Sequence, residues 1–380
     1  MVRLGIVPTP EMAFHAQRQR RPALVVTPSH NPLGYVGLKG FSAAGRLWDR
    51  EWSAIGEAYR VETRGAPRPR SGRRGSRASP GSVGGHGAPY REEYLDHLAA
   101  GLNARRTIVI DTRGGATAAR APEGLARIGA RVVSLSDGFS PTFFGRSPEP
   151  TPESLGPLRD RIREERAALG FAFDGDGDRC VCLDERGSVL EPEVIALLLY
   201  QVFGDRRHPI VASADCSRIL ERHVRTVRSR VGGRFVTRAM RRAGAEIGVE
   251  RSGHFFFRRY GSDSDGVLTA CLVAHAVDRR GMRMSEIARE VGPIYRGSRT
   301  TDYEEAAEAR RAYRALVEAL GARAKADRDG ISVEFDDGWC LIRRSRTQPS
   351  IRLSYEASSR AELRHIDRTV RQWIRAAHRP

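Results

Sequence analysis

The sequence is poor in lysine, and its positive charge is arginine instead. Only Lys39 and Lys325 are lysines among 64 basic residues, so arginines spread along the chain carry the formal net charge of +18. Nucleic-acid-binding proteins concentrate charge on one face or interleave it with aromatic residues. Here aromatic residues make up 7%, and only residues 70–77 concentrate arginine. The composition therefore predicts no nucleic-acid partner and favours an anionic small molecule.

The chain also lacks long apolar runs and paired cysteines. No stretch approaches the run of about 20 apolar residues that a membrane-spanning helix requires, and the first residues lack the pattern of a secretory signal. The five cysteines are odd in number and show no spacing typical of zinc sites. We therefore expect a reduced cytoplasmic protein with no membrane partner, in which Cys180 and Cys182 share one face of a strand.

One segment, residues 62–90, is rich in Gly, Pro, Ser and Arg and almost free of large apolar side chains. It cannot bury enough surface to offset the entropy of ordering it, so we expect a flexible linker or insertion. After it, strand-like and helix-like stretches alternate, which indicates α/β domains with mixed, mostly parallel sheets. From residue 293 the pattern changes to that of an α+β module with an antiparallel sheet.

Three aspartates alternate with glycines in FDGDGDR, which follows an apolar strand. Asp174, Asp176 and Asp178 should converge on a tight turn whose glycines let the backbone bend around a small ion. Three hard oxygen ligands suit Mg²⁺, whose shell is usually completed by phosphate oxygens or water. An acidic turn without metal is the alternative. A calcium loop fits poorly, because glycine takes the sixth position only in a shifted frame.

Two later loops carry polar side chains suited to a sugar phosphate. In GVERSGHFFF, Glu250, Ser252 and His254 take alternate positions, and a carboxylate beside a hydroxyl suits sugar hydroxyls. In RRSRTQPSIR, arginine and hydroxyl side chains surround a turn, as bidentate phosphate recognition requires. Taken singly, the first loop also fits an ordinary surface loop and the second a solvated basic turn.

Ser29 lies in TPSHNP, inside a rigid turn at the end of a strand-like run. A serine there could be a nucleophile or phosphate carrier, with His30 or Lys39 assisting proton transfer. The turn lacks the GxSxG context of a hydrolase elbow. Taken alone, a structural loop is the simpler interpretation.

Together and in this order, the stretches resemble the motifs of the α-D-phosphohexomutase family, the phosphoglucomutase/phosphomannomutase group. The matching residues are T-x-S-H-N-P-x-x-Y-x-G-x-K at 27–39, D-G-D-G-D-R at 174–179, G-x-E-x-S-G-H at 248–254 and R-x-S-x-T-x-P-x-x-R at 343–352. Lesser matches are GIVPTP, the RSPEPTPESL stretch, Val231-Gly232 and Asp265-Gly266.

The resemblance implies three α/β domains followed by a C-terminal α+β domain. Because the chain starts a few residues before GIVPTP, we expect the first domain to be truncated. The expected division is domain I with the phosphoserine loop (1–61), the linker (62–90), domain II with the metal loop (91–190), domain III with the sugar loop (191–292) and domain IV with the phosphate loop (293–380).

The resemblance also implies a role for each motif residue. The catalytic residues would be Ser29, which carries the phosphoryl group, and His30, Lys39 and Arg179, which assist proton transfer and stabilise charge. The ligands of one Mg²⁺ would be the phosphorylated Ser29, Asp174, Asp176 and Asp178. The substrate-binding residues would be Gly232, Glu250, Ser252, His254, Arg343, Ser345, Thr347 and Arg352.

The implied activity is that of an isomerase of carbohydrate metabolism. It would interconvert hexose 1-phosphate and hexose 6-phosphate, with hexose 1,6-bisphosphate as intermediate and activator. The aromatic residues after SGH favour a phosphomannomutase/phosphoglucomutase. A phosphoglucosamine mutase is an alternative, and so is an impaired homologue that only binds sugar phosphates. The chain departs from the family pattern at Val36, Arg346 and Gln348, where Asn, Gly and Glu are usual.

Overall fold

The computed structural model describes residues 1–29, 31, 34, 36–48, 51, 55, 88–136, 138–261, 263–345 and 348–377. The chain divides into two compact units. Unit 1 comprises Met1–Val189 and Arg259–Gly281, and unit 2 comprises Leu190–Arg258 and Met282–Pro380. His30, Thr347 and residues 62–87 of the expected linker lie outside the described residues, whereas Ala88 to Tyr90 begin a helix.

The helices and strands follow in chain order. Up to residue 189 the described elements are α1 (Thr9–Arg18), β1 (Ala23–Thr27), β2 (Gly37–Phe41), α2 (Ala88–Ala99), β3 (Thr107–Asp111), α3 (Ala121–Arg127), β4 (Arg131–Ser134), α4 (Gly156–Glu164), β5 (Leu169–Phe173) and β6 (Cys180–Leu183). Next come α5 (Pro192–Phe203), β7 (Ile210–Ser213), α6 (Ile219–His223), β8 (Thr226–Ser229), α7 (Gly233–Ala243), β9 (Ile247–Val249), β10 (Phe255–Phe257) and α8 (Gly266–Arg280). The remainder forms α9 (Met284–Val291), β11 (Tyr295–Asp302), α10 (Ala306–Leu320), β12 (Lys325–Asp327), β13 (Gly330–Phe335), β14 (Gly338–Arg344), β15 (Ser350–Ala357) and α11 (Arg360–Ala377).

The main sheet of unit 1 has the order β4-β3-β5-β6, in which β3 runs parallel to both neighbours and β6 is antiparallel. Strand β5 is buried along its whole length, as expected for a continuous apolar run in a parallel sheet. Gly170 lets α4 pack closely against β5, because a Cβ at this position would lie only 2.3 Å from Ile162 Cδ1 of that helix. The acidic motif follows β5 directly, so this buried strand determines where the aspartates lie.

A second, two-stranded sheet of unit 1 pairs β1 with β2 in antiparallel register. Residues two apart on a strand share a face, so Lys39 and Phe41 of β2 point to the same side. Phe41 is fully buried against Ala13 and Ala16 of α1. The apolar contact with α1 therefore determines the side of the sheet from which Lys39 extends.

A buried ion pair ties α1 to the rest of unit 1. Both carboxylate oxygens of Glu11 accept hydrogen bonds from Arg120, at 2.7 and 3.0 Å. The two side chains are 1% and 8% exposed. Arg120 lies just before α3, so this bidentate ion pair holds α1 against the start of α3.

Unit 2 repeats the mixed α/β pattern and adds an antiparallel sheet. Its first sheet has the order β10-β9-β7-β8, with β7 parallel to β8 and β9 and with β10 antiparallel. The second has the order β11-β15-β14-β13-β12, and every pairing in it is antiparallel. Helices α10 and α11 contribute Leu316, Ile366 and Val370 to its core.

The predicted fold class is confirmed: mixed, mostly parallel sheets precede a C-terminal α+β module. Cys180 and Cys182 do share a face, with sulfurs 3.8 Å apart. Helix α8, which the sequence division placed in the third domain, packs within unit 1 against α2, α3, β5 and β6. In the part of the chain that the structure describes, no helix is long and apolar enough to cross a membrane.

We expect Glu11→Gln to destabilise unit 1. The amide keeps the volume but leaves the buried guanidinium of Arg120 uncompensated, which costs about 3–5 kcal/mol. The measurement is urea unfolding followed by circular dichroism, read at the first transition because several domains need not unfold together. The control is Asp160→Ala, which removes an ion pair with Arg163 between side chains 61% and 68% exposed, and should cost about 1 kcal/mol or less. Equal effects of the two changes would contradict the prediction.

Candidate active site

The acidic loop between β5 and β6 is closely packed around its glycines. A Cβ at Gly175 would lie 2.7 Å from the carbonyl oxygen of Ser29, and a Cβ at Gly177 would lie 2.3 Å from Thr117 Cγ2. Gly177 also has a φ of +76°, which favours glycine. The alternating glycines therefore permit the loop to turn and bring the Ser29 backbone against it.

The three aspartates converge as predicted. One potential ligand oxygen from each lies within 4.8 Å of the others. Their exposed fractions are 0% for Asp174, 4% for Asp176 and 8% for Asp178. Such a buried group of carboxylates requires compensation by positive charge, by hydrogen bonds or by a metal ion.

In Asp174 and Asp176, one carboxylate oxygen accepts hydrogen bonds, and the other accepts none from the residues that the structure describes. Asp174 Oδ1 accepts hydrogen bonds from the Gly177 and Arg179 N–H groups, at 3.1 and 3.2 Å. Asp176 Oδ2 accepts from Lys39 Nζ at 2.7 Å. Among the described residues, Asp174 Oδ2 and Asp176 Oδ1 are buried and have no hydrogen-bond partner. Buried carboxylate oxygens without donors fit a hard divalent cation such as Mg²⁺.

Two cations lie in the same loop region. Lys39 Nζ contacts Asp176 Oδ2 and Asp178 Oδ2 at 2.7 and 2.6 Å. Burial alone would lower the pKa of Lys39, but the two aspartates outweigh it and raise this pKa above its usual value. Arg179 Nη1 binds Glu149 at 3.0 Å, and Arg179 Nε lies 3.6 Å from Asp174 Oδ2. The geometry thus favours Lys39 as a fixed positive charge.

Ser29 has an unusual backbone conformation. Its φ of +54° lies in the left-handed region, which non-glycine residues seldom adopt. The Ser29 N–H donates to Thr27 Oγ1 at 2.8 Å, and both the backbone N–H and the side-chain amide of Asn31 donate to the Pro28 carbonyl. Backbone strain of this kind is concentrated at functional sites. It coincides with the residue that the motif singles out.

Sequence reasoning missed Thr9 and Glu149 as neighbours of the acidic loop. Thr9 Oγ1 donates to Asp176 Oδ2 at 2.7 Å, and Glu149 binds Arg179. Thr9 lies in GIVPTP and Glu149 in the RSPEPTPESL stretch, both of which were lesser motif matches. That signal marked the segments but could not say which side chains they contribute.

In unit 2, the predicted sugar loop is preorganised by hydrogen bonds. Glu250, only 3% exposed, accepts one from the Gly232 N–H at 2.5 Å. His254 Nδ1 lies 2.7 Å from Ser252 Oγ and 3.3 Å from Glu250 Oε2. Gly232 has a φ of +121°, a conformation that favours glycine. The structure therefore brings together all four residues predicted here.

The predicted phosphate loop joins the same network within unit 2. Arg343, 8% exposed, lies 3.9 Å from both Asp215 and Asp329 carboxylates, and its Nε has no hydrogen-bond partner among the described residues. Asp329 also accepts from the Val231 N–H at 3.3 Å, next to the sugar loop. A buried guanidinium with unused donor capacity fits an anionic group.

Two further residues predicted for that loop, Ser345 and Arg352, are described by the structure. Arg352 is the register partner of Arg343 on β15 and donates to Gln348 Oε1 at 3.0 Å. Ser345 lines a cavity of about 390 Å³ together with Arg230, Tyr313, Asp329, Gly330 and Arg344. The loop therefore combines guanidinium and hydroxyl donors, as its sequence predicted.

Four family models match the chain in order. They are phosphoglucomutase/phosphomannomutase alpha/beta/alpha domain I at residues 1–63, domain II at 92–187, domain III at 192–295 and the C-terminal domain at 304–372. A probable phosphoglucosamine mutase of Methanosarcina acetivorans is 30% identical over 371 residues, which cover 95% of this chain and 82% of that protein. A phosphoglucosamine mutase of Syntrophomonas wolfei is 33% identical over 75% of this chain and 65% of its own length.

Solved structures agree with these matches. A phosphoglucomutase/phosphomannomutase family protein from Burkholderia thailandensis superposes with a TM-score of 0.77 at 25% identity. The superposition covers 99% of this chain and 82% of that chain. The likeness thus spans both units.

We expect Asp174→Asn to stabilise the protein when divalent cations are removed. Burial, and then the charges of Asp178 and Asp176, raise the pKa of Asp174 well above its usual value. A raised folded pKa means that the ionised form destabilises the fold at neutral pH, and that this penalty is lost as pH falls towards the unfolded pKa. In EDTA at pH 7 the variant should gain about 1 kcal/mol, or roughly 2–4 °C in Tm, and the gain should shrink at acidic pH.

Added Mg²⁺ should reverse the order of the two melting temperatures, because metal binding stabilises only the protein that keeps the Asp174 carboxylate as a metal ligand. The unaltered chain should then melt at the higher temperature. Asp160→Asn, a change at an exposed side chain, is the control and should respond to Mg²⁺ as the unaltered chain does. A variant that is less stable in EDTA, or equally responsive to Mg²⁺, would refute the prediction.

Proposed function

The chain belongs to the phosphoglucomutase/phosphomannomutase family, whose four domain models it matches in order, and on that premise we propose that it interconverts hexose 1-phosphates and hexose 6-phosphates through a phosphoserine at Ser29. The observation that carries this proposal is in unit 1. The backbone of Ser29 lies against the glycine between Asp174 and Asp176, and Lys39 bridges two of the aspartates.

Unit 1 supplies the groups for phosphoryl transfer. Asp174, Asp176 and Asp178 would hold Mg²⁺, which when bound offsets negative charge on phosphate oxygens. Lys39 and Arg179 provide fixed positive charges, which offset the negative charge on the phosphoryl group during its transfer. His30, adjacent to Ser29 in sequence, is the proposed proton-transfer group.

The proposed cycle has two transfers. In the first, a sugar hydroxyl attacks the phosphorus and the bond between phosphorus and Ser29 Oγ breaks. The hydroxyl proton passes, through the proposed proton-transfer group His30, to Ser29 Oγ as the leaving oxygen. The product is a hexose 1,6-bisphosphate, which reorients. In the second, Ser29 Oγ attacks the other phosphate and gives up its proton. The bond between that phosphorus and the sugar oxygen breaks, and the sugar oxygen takes up the proton to give the isomeric hexose monophosphate. Added bisphosphate activates the enzyme because it phosphorylates Ser29.

Unit 2 supplies the groups that bind the sugar phosphate. Glu250, Ser252 and His254, with Gly232, whose N–H binds Glu250, would bond sugar hydroxyls, which both donate and accept. Arg343, Ser345, Thr347 and Arg352 would bind the phosphate that is not being transferred. Arg343 and Arg352 are adjacent on paired strands, which suits a single phosphate.

The sugar itself has three candidates. The aromatic residues after SGH favour mannose and glucose phosphates. The curated relatives at 30% and 33% identity are named phosphoglucosamine mutases, which favours glucosamine phosphates. The three sugars differ at C2, so a comparison of kcat/KM values decides between them.

We expect turnover to require Ser29. Interconversion of glucose, mannose and glucosamine phosphates is measured by coupled assay with Mg²⁺ and the matching 1,6-bisphosphate. Ser29→Ala should lower kcat at least about 1,000-fold, as loss of a nucleophile does, and should abolish labelling of the protein by bisphosphate carrying radioactive phosphate.

Ser42→Ala is the matched control. In the described part of the chain, the Ser42 hydroxyl accepts only long hydrogen bonds of 3.4 Å from the Ala44 and Arg46 N–H groups, so its loss should leave the rate unchanged. No turnover of any of the three sugars by folded, unaltered protein would leave only the sugar-phosphate-binding alternative. Labelling that persists in Ser29→Ala would refute the assignment of the phosphoserine.

We expect Arg343→Met to weaken substrate binding more than it slows chemistry. The Arg343 guanidinium would bind the phosphate that does not react, so loss of the guanidinium weakens binding of the ground state and of the transition state alike. KM should rise by about 10- to 100-fold, the value of a hydrogen bond between charged groups, with kcat changed less. Arg371→Met, which removes an exposed partner of Asp367, is the control. A fall in kcat at constant KM would contradict this role.

A further inference from the structure

Thr9, the first residue of α1, binds the acidic loop twice. Its hydroxyl donates to Asp176 Oδ2 at 2.7 Å, and its backbone N–H donates to the Asp176 carbonyl at 2.9 Å. Thr9 is 4% exposed. The start of α1 therefore holds both the main chain and the side chain of Asp176.

The two donors on Asp176 act on the same oxygen. Lys39 Nζ also lies 2.7 Å from Oδ2. Among the described residues, Asp176 Oδ1 has no hydrogen-bond partner, although it is buried. When one carboxylate oxygen accepts two hydrogen bonds and the other accepts none, the orientation of the carboxylate is defined. Its second oxygen is then directed towards a cation.

We propose that Thr9 is a positioning residue for the metal site: its hydroxyl holds Asp176 Oδ2 and thereby presents Oδ1 to the cation. Lys39 alone does not define this orientation, because its single ammonium group is shared with Asp178. The Thr9 hydroxyl is a second donor on the same oxygen, and the helix fixes its place.

Other contacts hold α1 in place without the hydroxyl. Glu11 is bound to Arg120, and Ala13 and Ala16 are buried against Phe41. The backbone hydrogen bond from Thr9 to Asp176 also survives any side-chain change. Removing the Thr9 hydroxyl should therefore alter the orientation of the Asp176 carboxylate while α1 keeps its position.

The test measures metal binding directly. The full unphosphorylated chain is titrated with Mg²⁺ by calorimetry and with Mn²⁺ by electron paramagnetic resonance. Thr9→Val keeps the shape and removes the hydroxyl, and its Kd for both ions should rise about 10- to 100-fold, as for the loss of other groups that orient a metal ligand. Thr9→Ser keeps the hydroxyl and should bind within about threefold of the unaltered chain, since its donor remains.

Thr117→Val is the matched control. Thr117 is fully buried and packs against Gly177 of the same loop, but its hydroxyl makes no hydrogen bond among the described residues. The same chemical change there should leave the Kd for Mn²⁺ unaltered. If Thr9→Val proves too unstable to titrate, Thr9→Ala replaces it with the same expectation.

The outcomes separate this inference from the proposed function on which it rests. Unchanged metal affinity in Thr9→Val, or equal losses in Thr9→Val and Thr9→Ser, would overturn the role of the hydroxyl even if the enzyme turns over sugar phosphates. Weak binding by Thr117→Val would mean that packing near the loop, rather than the donor, is responsible. An unaltered chain that binds neither ion would overturn the metal site and this inference with it.

Discussion

The mutual repulsion of three carboxylates buried in one turn is the constraint on which unit 1 depends. Asp174, Asp176 and Asp178 are nearly inaccessible to water, so each charge must be offset inside the protein. Lys39 comes from β2 and Arg179 from the loop itself. The pKa shifts reflect the balance: burial and the neighbouring aspartates disfavour the charge on Asp174, while the same aspartates retain the charge on Lys39. The site is thus prepared for a further positive charge.

In unit 2, the predicted sugar and phosphate loops combine a buried cation with buried carboxylates. Arg343 is buried beside Asp215 and Asp329, at distances of 3.9 Å that leave donors of the guanidinium available. Asp329 also binds the backbone at Val231, and the adjacent Gly232 N–H binds Glu250. One long ion-pair contact, between Arg343 and Asp329, and two hydrogen bonds, at Val231 and Gly232, therefore connect the phosphate loop to the sugar loop. Preorganisation of this kind lowers the entropic cost of binding a small polar ligand.

Much of the fold was predictable, because burial leaves a pattern in the sequence. Strand β5 is a continuous apolar run, and the helix before it, α4, shows amphipathic spacing. The sequence of strand β11, YRGSRTTD, has no apolar alternation, and only its pairing with β15 makes it a strand. Helix α8 lies in the range expected for the third domain but packs within unit 1, and the sequence does not reveal these packing partners because an apolar helix matches many surfaces equally well.

The sequence by itself determined the chemistry: alternating aspartates and glycines that suit a divalent cation, one lysine among arginines near Ser29, and arginine-hydroxyl and glutamate-serine loops that suit a sugar phosphate. Only the tertiary structure decided which carboxylate oxygens of the aspartates accept hydrogen bonds and which remain available to a cation. Thr9 and Asp176 are separated by 167 positions, yet their side chains share a hydrogen bond. Residue types specify what a group can bond, whereas orientation depends on packing between distant segments, which no local pattern records.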